Sequence, residues 1–431
     1  MRRWLRDTTG GLPRQFWYLW TGTLINRVGG FVVIFLTIYL TTVRHFTPSQ
    51  AGLIMGVWAA GGALGNMLGG VAADRIGRKV TLLTGQVAGA ATLLAMAFTS
   101  AYWGIAGLAF LFGVFADGAR PAFGAMLIDI VPEKDRLRAF TLNYWVINLG
   151  FAFAATLAGL AAAADYHLVF LVDAATTLVT ATFLFFTLRE SKSARPASSS
   201  SATSSSSASS SAASAVASAA KGGLRVVFTD RIFLIFAGLN ILSAFVFLQH
   251  LTTLPIAMAA DGISGQTYGY VIALNGVLIV IGQLFIPRLT RGMTRTRMLA
   301  VASIVTGLGF GLTALANTPL FYAATVFVWT LGEMVNAPAN STTMAALSPA
   351  DLRGRYQGVF SLSWSIAGFV APTVGGFLQE HVGNTFLWLL CAGIGLAVAA
   401  AQVASGPARE RRAAILAPPP PAVSRQPTPV S

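Results

Sequence analysis

The chain has 431 residues, of which 55% are hydrophobic and 10% charged, against about 25% charged in soluble domains; this excludes a water-soluble globular protein and makes the bilayer its solvent. A formal net charge of +14 does not point to nucleic acid, because a nucleic-acid binder gathers Lys and Arg on one face of a polar domain, and here they stand between apolar runs. The single cysteine, Cys391, excludes a disulfide framework or a thiolate metal cluster within one chain.

The apolar runs are roughly 18 to 25 residues long, the length at which a helix crosses a hydrocarbon core of about 30 Å. Met1-Arg2-Arg3-Trp4 is like the basic start of a signal peptide. The stretch after it is too long and lacks a small-residue cleavage pattern, so it reads as a retained first span. Six spans are predicted near Phe16 to Leu40, Gln50 to Val71, Val80 to Thr99, Tyr102 to Ile128, Phe140 to Ala162 and Leu168 to Leu188. From Ser191 to Lys221 the chain is almost wholly Ser and Ala, the composition of a disordered linker. Six further spans follow near Ile232 to Leu254, Thr267 to Ile286, Met298 to Ala316, Leu320 to Ala346, Tyr356 to Gln379 and Thr385 to Val403. The expected organisation is a six-helix half over 1–190, a linker over 191–228, a second half over 229–405 and a disordered tail over 406–431, whose Pro418 to Pro421 run cannot pack.

With both termini cytoplasmic, 26 of the 29 Lys and Arg fall in cytoplasmic segments, Arg44 falls outside, and Arg27 and Arg120 lie within spans. That asymmetry obeys the positive-inside rule. The halves also repeat: Pro132, Arg136 and Arg138 lie over Pro349, Arg353 and Arg355 at an offset of 217 residues, and the same offset brings Gly159 onto Gly376 and Pro121 onto Pro338. Two related halves are expected of a transporter with its substrate site between them.

Between the second and third spans stands Gly70-Val-Ala-Ala-Asp74-Arg75-Ile-Gly77-Arg78-Lys79. It resembles the signature loop of the major facilitator superfamily, Gly-x3-Asp-Arg-x-Gly-Arg-Arg, in both sequence and position. Gly70 permits close helix approach, Gly77 a sharp turn, and Asp74, Arg75, Arg78 and Lys79 supply charge. The resemblance implies an all-α fold of twelve membrane helices in two pseudo-symmetric halves. It also implies a latch between halves that holds the outward-facing state, with Asp129 meeting the loop. The second half's corresponding loop, Pro287 to Arg291, keeps Arg but lacks Asp.

Arg120-Pro-Ala-Phe-Gly124 resembles the Arg-x3-Gly motif in the fourth span of the drug:proton antiporters of this superfamily. An Arg at mid-helix costs about 2.5 to 3.5 kcal/mol to insert, so it needs a partner or a watery cavity, and Asp117 stands three residues before it on nearly the same face. The pair reads either as self-neutralising or as proton-responsive. The antiporters' fifth-span Gly and Pro motif is degraded here, where Gly150 and Gly159 remain without the Pro. Its repeat in span eleven, with Pro372, Gly375 and Gly376, is better kept. These small residues favour helix packing.

The other ionisable residues inside spans are Arg27, Asp173 and Glu333. Arg27 beside Asn26, and Glu333 near Asn336 and Asn340, are candidate cavity residues, while Asp173 reads as structural. A lone His such as His250 is more often a packing residue than a proton relay. Tyr144, Trp145, Asn148, Asn240, Asn275 and Trp364 add polar and aromatic character suited to amphipathic or cationic molecules.

The sequence holds no Gly-x4-Gly-Lys-Ser/Thr loop and no His-Glu-x2-His motif, which leaves secondary transport rather than ATP-driven transport or zinc chemistry. The expected function is proton-coupled export of drug-like compounds from a cell membrane, without cofactor or metal, with protons, a small-molecule substrate and membrane lipids as partners. The family expectation is a monomer. Uptake of a metabolite by symport or facilitated diffusion is the alternative, and a membrane enzyme or sensor a more distant one.

Overall fold

The computed structural model describes residues 10–188, 224–349 and 352–416. Among these, twelve helices are long and apolar enough to cross a membrane, and no strand occurs. The first six are Arg14–Val43, Pro48–Ile76, Arg78–Phe98, Tyr102–Ile130, Glu133–Ala164 and Tyr166–Thr187. The second six are Arg231–Ala260, Gly265–Gly282, Arg295–Leu315, Pro319–Leu347, Arg353–His381 and Asn384–Leu416. They are numbered here as spans one to twelve.

The repeat is kept in helix boundaries as well as in residues. Spans one and seven, three and nine, and four and ten start and end 217 residues apart. So do the fifth and eleventh helices, Arg136–Ala164 and Arg353–His381. Pro121 and Pro338 lie inside the fourth and tenth helices at mated positions. Thr47 and its mate Ser264 both cap the helices that follow, Thr47 within a full capping box with Gln50. These caps satisfy backbone donors that a helix start leaves unpaired. At the other end of span two the chain reverses at Gly77, whose φ of +104° is open to glycine and strained for other residues.

Three expectations change. The first span is not one helix but two pieces, Arg14–Val28 and Val32–Ile38, interrupted at Gly29 and Gly30. The buried Asp173 carboxylate accepts the Val32 N–H at 3.0 Å and satisfies a donor that the break exposes. Residues 189–223, which take in most of the predicted linker, lie outside the described residues, but Leu224–Phe228 at its end is a short helix because Val227 packs into the core beside Phe233 and Tyr356. Within the predicted tail, the last helix runs on to Leu416. Its Arg412 is held by Asp230, the Tyr356 hydroxyl and the Leu347 carbonyl. Residues 417–431 lie outside the described residues.

The core divides along the membrane normal. Toward the end of the bundle away from the basic loops, one apolar cluster joins both halves and includes Phe35, Tyr39, Met55, Phe170, Leu254, Tyr268, Trp329 and Trp388. Toward the basic end each half keeps its own core, Phe16, Met126 and Leu184 in the first, Phe233, Phe236 and Phe360 in the second. The joined end is sealed by glycines. A side chain at Gly52 or Gly376 would meet the backbone of Pro372 or Pro48, bringing spans two and eleven together. Gly159, Gly269 and Gly276 do the same for spans five and eight. Such contacts let helices approach without a driving force from water.

Hydrogen bonds also join the halves at this end. Thr37 Oγ1 donates to the Leu251 carbonyl at 3.0 Å, and the Ser49 N–H at the start of span two donates to Glu380 Oε2 of span eleven at 2.9 Å. A carboxylate at a helix N-terminus contributes about 1 kcal/mol at most when so exposed. Replacing Glu380 with Ala is expected to move the balance toward the form opened at this end by about fivefold, read as a longer spin-label distance between positions 45 and 382. An unchanged distance distribution would show that Glu380 holds nothing.

Candidate functional site

Two charged groups of residues emerge, one within the membrane between the halves and one at the basic turn after span two. In span four, Arg120 Nε meets Asp117 Oδ1 at 3.0 Å. The Arg120 side chain is 48% exposed within a helix of membrane length, which fits a water-filled space between the halves. Asp117 is more enclosed, because Gly62 of span two has no side chain to displace its carboxylate. The rest of that helix contact follows the same logic: Gly61, Gly65 and Gly69 face the backbone of Phe110, Val114 and Gly118.

Arg27 ends the lower piece of span one, and its Cβ lies where Gly150 of span five leaves room. Asp117, Arg120 and Asp173 are all near enough to act on it electrostatically. The adjacent Asn26 donates to Thr177 Oγ1 at 3.1 Å. The first half thus gathers two acids and two bases, a set that neutralises itself.

The second half does not. Glu333 of span ten accepts a hydrogen bond from Asn275 Nδ2 of span eight at 2.8 Å, and Asn275 also donates to Thr330 at 3.1 Å. Among the described residues no Lys or Arg pairs with Glu333. Tyr144 of the first half lies within electrostatic reach of it. Tyr144, Trp145 and Trp364 are each more than a third exposed, and Asn336 accepts from Asn340 at 2.9 Å one helical turn beyond Glu333.

Other candidates fall elsewhere. Asn240 is buried and donates to Ser363 Oγ at 2.7 Å, so it ties span seven to span eleven instead of lining the cavity. Gly375 leaves space for the Gln249 side chain, which donates to the Ala371 carbonyl, and Pro372 and Gly376 belong to the sealed end. His250 sits in an aromatic group that pattern reading does not assemble. Its ring centre is 4.6 Å from Phe247 and 5.5 Å from Trp329, and Phe247 in turn meets Trp364 at 6.3 Å. Each of these residues is visible as an aromatic in the sequence, but only helix rotation brings them together.

At the basic turn, Arg78 pairs with Asp129 and donates to the Ala125 carbonyl at 3.1 Å, joining the starts and ends of neighbouring helices within the first half. Lys79 Nζ donates to the carbonyls of Phe185 and Leu188 at 2.7 Å each, a cation set against the C-terminal end of span six. Asp74 and Arg75 stand exposed and Gly70 is buried. The arrangement therefore holds one half together while Asp74 is left facing solvent.

Comparison with known proteins gives a family model described as Major Facilitator Superfamily, matching residues 19–372 and 250–426. The uncharacterized MFS-type transporter YttB of Bacillus subtilis is 27% identical over 86% of this chain and 90% of its own length. A Na(+), Li(+), K(+)/H(+) antiporter of Planococcus maritimus is 23% identical over 78% and 83%, and the multidrug resistance protein MdtH of Salmonella arizonae 25% over 76% and 78%. Among solved structures, the nucleoside transporter NupG superposes with a TM-score of 0.74 at 15% identity, covering 90% of this chain and 99% of that one.

The Asn275 contact gives a test of the cavity. Hydrogen bonds to a charged group are worth about 1.5 to 3 kcal/mol, so Asn275→Ala is expected to lower transport about tenfold or more at equal membrane expression, and Asn240→Ala to act on thermal stability instead. Equal transport defects in the two variants would remove the distinction between cavity and packing residues.

Proposed function

The chain belongs to the major facilitator superfamily, so it is a multi-pass membrane transporter and not an enzyme, and we propose that it exports lipophilic or cationic small molecules in exchange for protons by alternating access. The observation that carries this reading is Glu333, an acid within a membrane-length helix with an amide partner and, among the described residues, no basic one. A cavity whose first half is neutral and whose second half holds one acid favours either a proton or a cation at that acid. Export by exchange follows if the two compete. Trp364, more than a third exposed and in ring contact with Phe247, offers apolar and cation–π surface in the second half. Two relatives carry names consistent with this reading, one an antiporter of monovalent cations and protons, the other a multidrug resistance protein.

Alternating access supplies the rest. The positive-inside rule places the basic end, the linker and both termini in the cytoplasm, so the sealed end faces out and the conformer is inward-facing. Substrate enters from the cytoplasm between the halves. When the outer end opens, the basic end closes, and the exposed Asp74 and Arg75 meet the second half as the latch implied by the signature loop. Asp117 and Arg120 line the path and hold their charge balance within one helix turn. One proton falling through about 100 mV supplies roughly 2.3 kcal/mol, enough for about a fiftyfold gradient of a neutral substrate. The protein works as a monomer in the cell membrane on this scheme.

Uptake of a metabolite is the second reading, favoured by one feature: the fifth span keeps Gly150 and Gly159 but lacks the Pro associated with antiport. Efflux of lipophilic cationic dyes from cells expressing the protein, with and without an uncoupler, separates the two. The expected result is uncoupler-sensitive dye loss that falls at least tenfold in Glu333→Gln. Proton-driven accumulation in place of loss would establish uptake, and an unaltered Glu333→Gln would end the role given to that acid.

A further inference from the structure

The 217-residue repeat exposes a difference at the basic end. In the first half the start of span three and the end of span four are joined by Arg78 and Asp129. The mated residues of the second half are Arg295 and Ala346, so the cation is kept and the carboxylate is lost. In its place lies a small cavity with room for a single water-sized group, lined among others by Arg295, Thr296, Ala346, Leu347, Arg409 and Glu410.

Arg409 is the unusual member. It comes from the helical extension of span twelve and is 4% exposed. One guanidinium nitrogen, Nη2, donates to the Gln402 carbonyl at 2.6 Å, and the group lies 5.9 Å from the centre of the Phe236 ring. Its Nε and Nη1 are buried without any partner. No acid pairs with it among the described residues; its neighbour Glu410 is exposed and accepts from the Thr296 hydroxyl at 3.1 Å. A buried guanidinium lacking a counter-ion is expensive. The cavity also sits at the start of the 18-residue helix Arg295–Leu312, where Thr294 Oγ1 caps the Arg297 N–H and the dipole favours an anion.

We infer that this cavity is a binding site for a phosphate group, which stands where the first half has the Asp129 carboxylate. One non-bridging oxygen enters to Arg409 and the remainder rests at the mouth against Arg295 and the helix start. No bond is made or broken. The position, between spans nine, ten and twelve at their basic ends, is at the level of lipid headgroups, so the phosphate is either that of an anionic lipid or free inorganic phosphate.

Native mass spectrometry and thermal denaturation of the purified full chain in detergent test the site with three probes: phosphatidylglycerol, diacylglycerol and inorganic phosphate. Wild type is expected to retain phosphatidylglycerol in preference to diacylglycerol. Arg409→Gln weakens that retention about tenfold, the loss of a charge-assisted hydrogen bond, and Glu410→Gln strengthens it by removing a repelling carboxylate. Because Arg409→Gln risks misfolding, Ala346→Asp serves as the second variant: it installs the carboxylate of the first half and is expected to fold and to lose the phosphate. The same variant pattern with inorganic phosphate alone identifies free phosphate as the ligand, and its absence there identifies the lipid. Equal retention of diacylglycerol, or retention unaltered by both Ala346→Asp and Glu410→Gln, would overturn the proposal.

Discussion

The structure depends on how closely helices approach at one end of the bundle. In a bilayer, apolar side chains gain nothing by leaving lipid for protein, so helices associate through shape, and glycine gives the shape with the closest contact. Gly52 and Gly376 bring spans two and eleven together, and Gly159, Gly269 and Gly276 bring spans five and eight together, in both cases with backbone facing backbone. Toward the other end each half keeps a core of its own, so the halves diverge there.

Charge is then placed where the divergence admits water. Arg120 is half exposed at a depth where lipid would not tolerate it, and its neighbours Asp117, Arg27 and Asp173 bring the first half to neutrality. Glu333 in the second half accepts from Asn275, which also donates to Thr330. The two halves share a fold and differ in electrostatics: one carries two acids and two bases, the other a single carboxylate held by an amide.

Much of the architecture is legible in the sequence because membrane spanning imposes long apolar runs, and because the repeat fixes the register of one half from the other. The fifth and eleventh spans, expected near Phe140 to Ala162 and Tyr356 to Gln379, run a few residues longer as Arg136–Ala164 and Arg353–His381 and keep the constant offset of the matched Pro-x3-Arg-x-Arg segments. The turn at Gly77 was equally readable, since a charged turn of that composition has few other uses. Most partner assignments were not. The resemblance brings Asp129 to the signature loop, where Arg78 holds it, but Lys79 to the end of span six and Asn275 to Glu333 depend on helix rotation, to which hydropathy is blind. Composition also misplaced the last helix: Gly406, Pro407 and three arginines look like an exit from structure, yet the guanidinium of Arg412 finds Asp230 and Tyr356 across the bundle and keeps residues 406–416 helical.

The interruption at Gly29 and Gly30 has a mechanical consequence. Span seven, the mate of span one, is helical from Arg231 to Ala260 with a proline, Pro255, only near its outer end, so it has no break at the position mated to Gly29 and Gly30. Span one is a jointed member. Its upper piece is fastened to the second half through Thr37 and to span six through Asp173, and its lower piece packs beside Gly150 of span five. In the alternating access proposed for this chain the two halves therefore differ mechanically: span one has a hinge beside the buried charges, and span seven has none at the mated position.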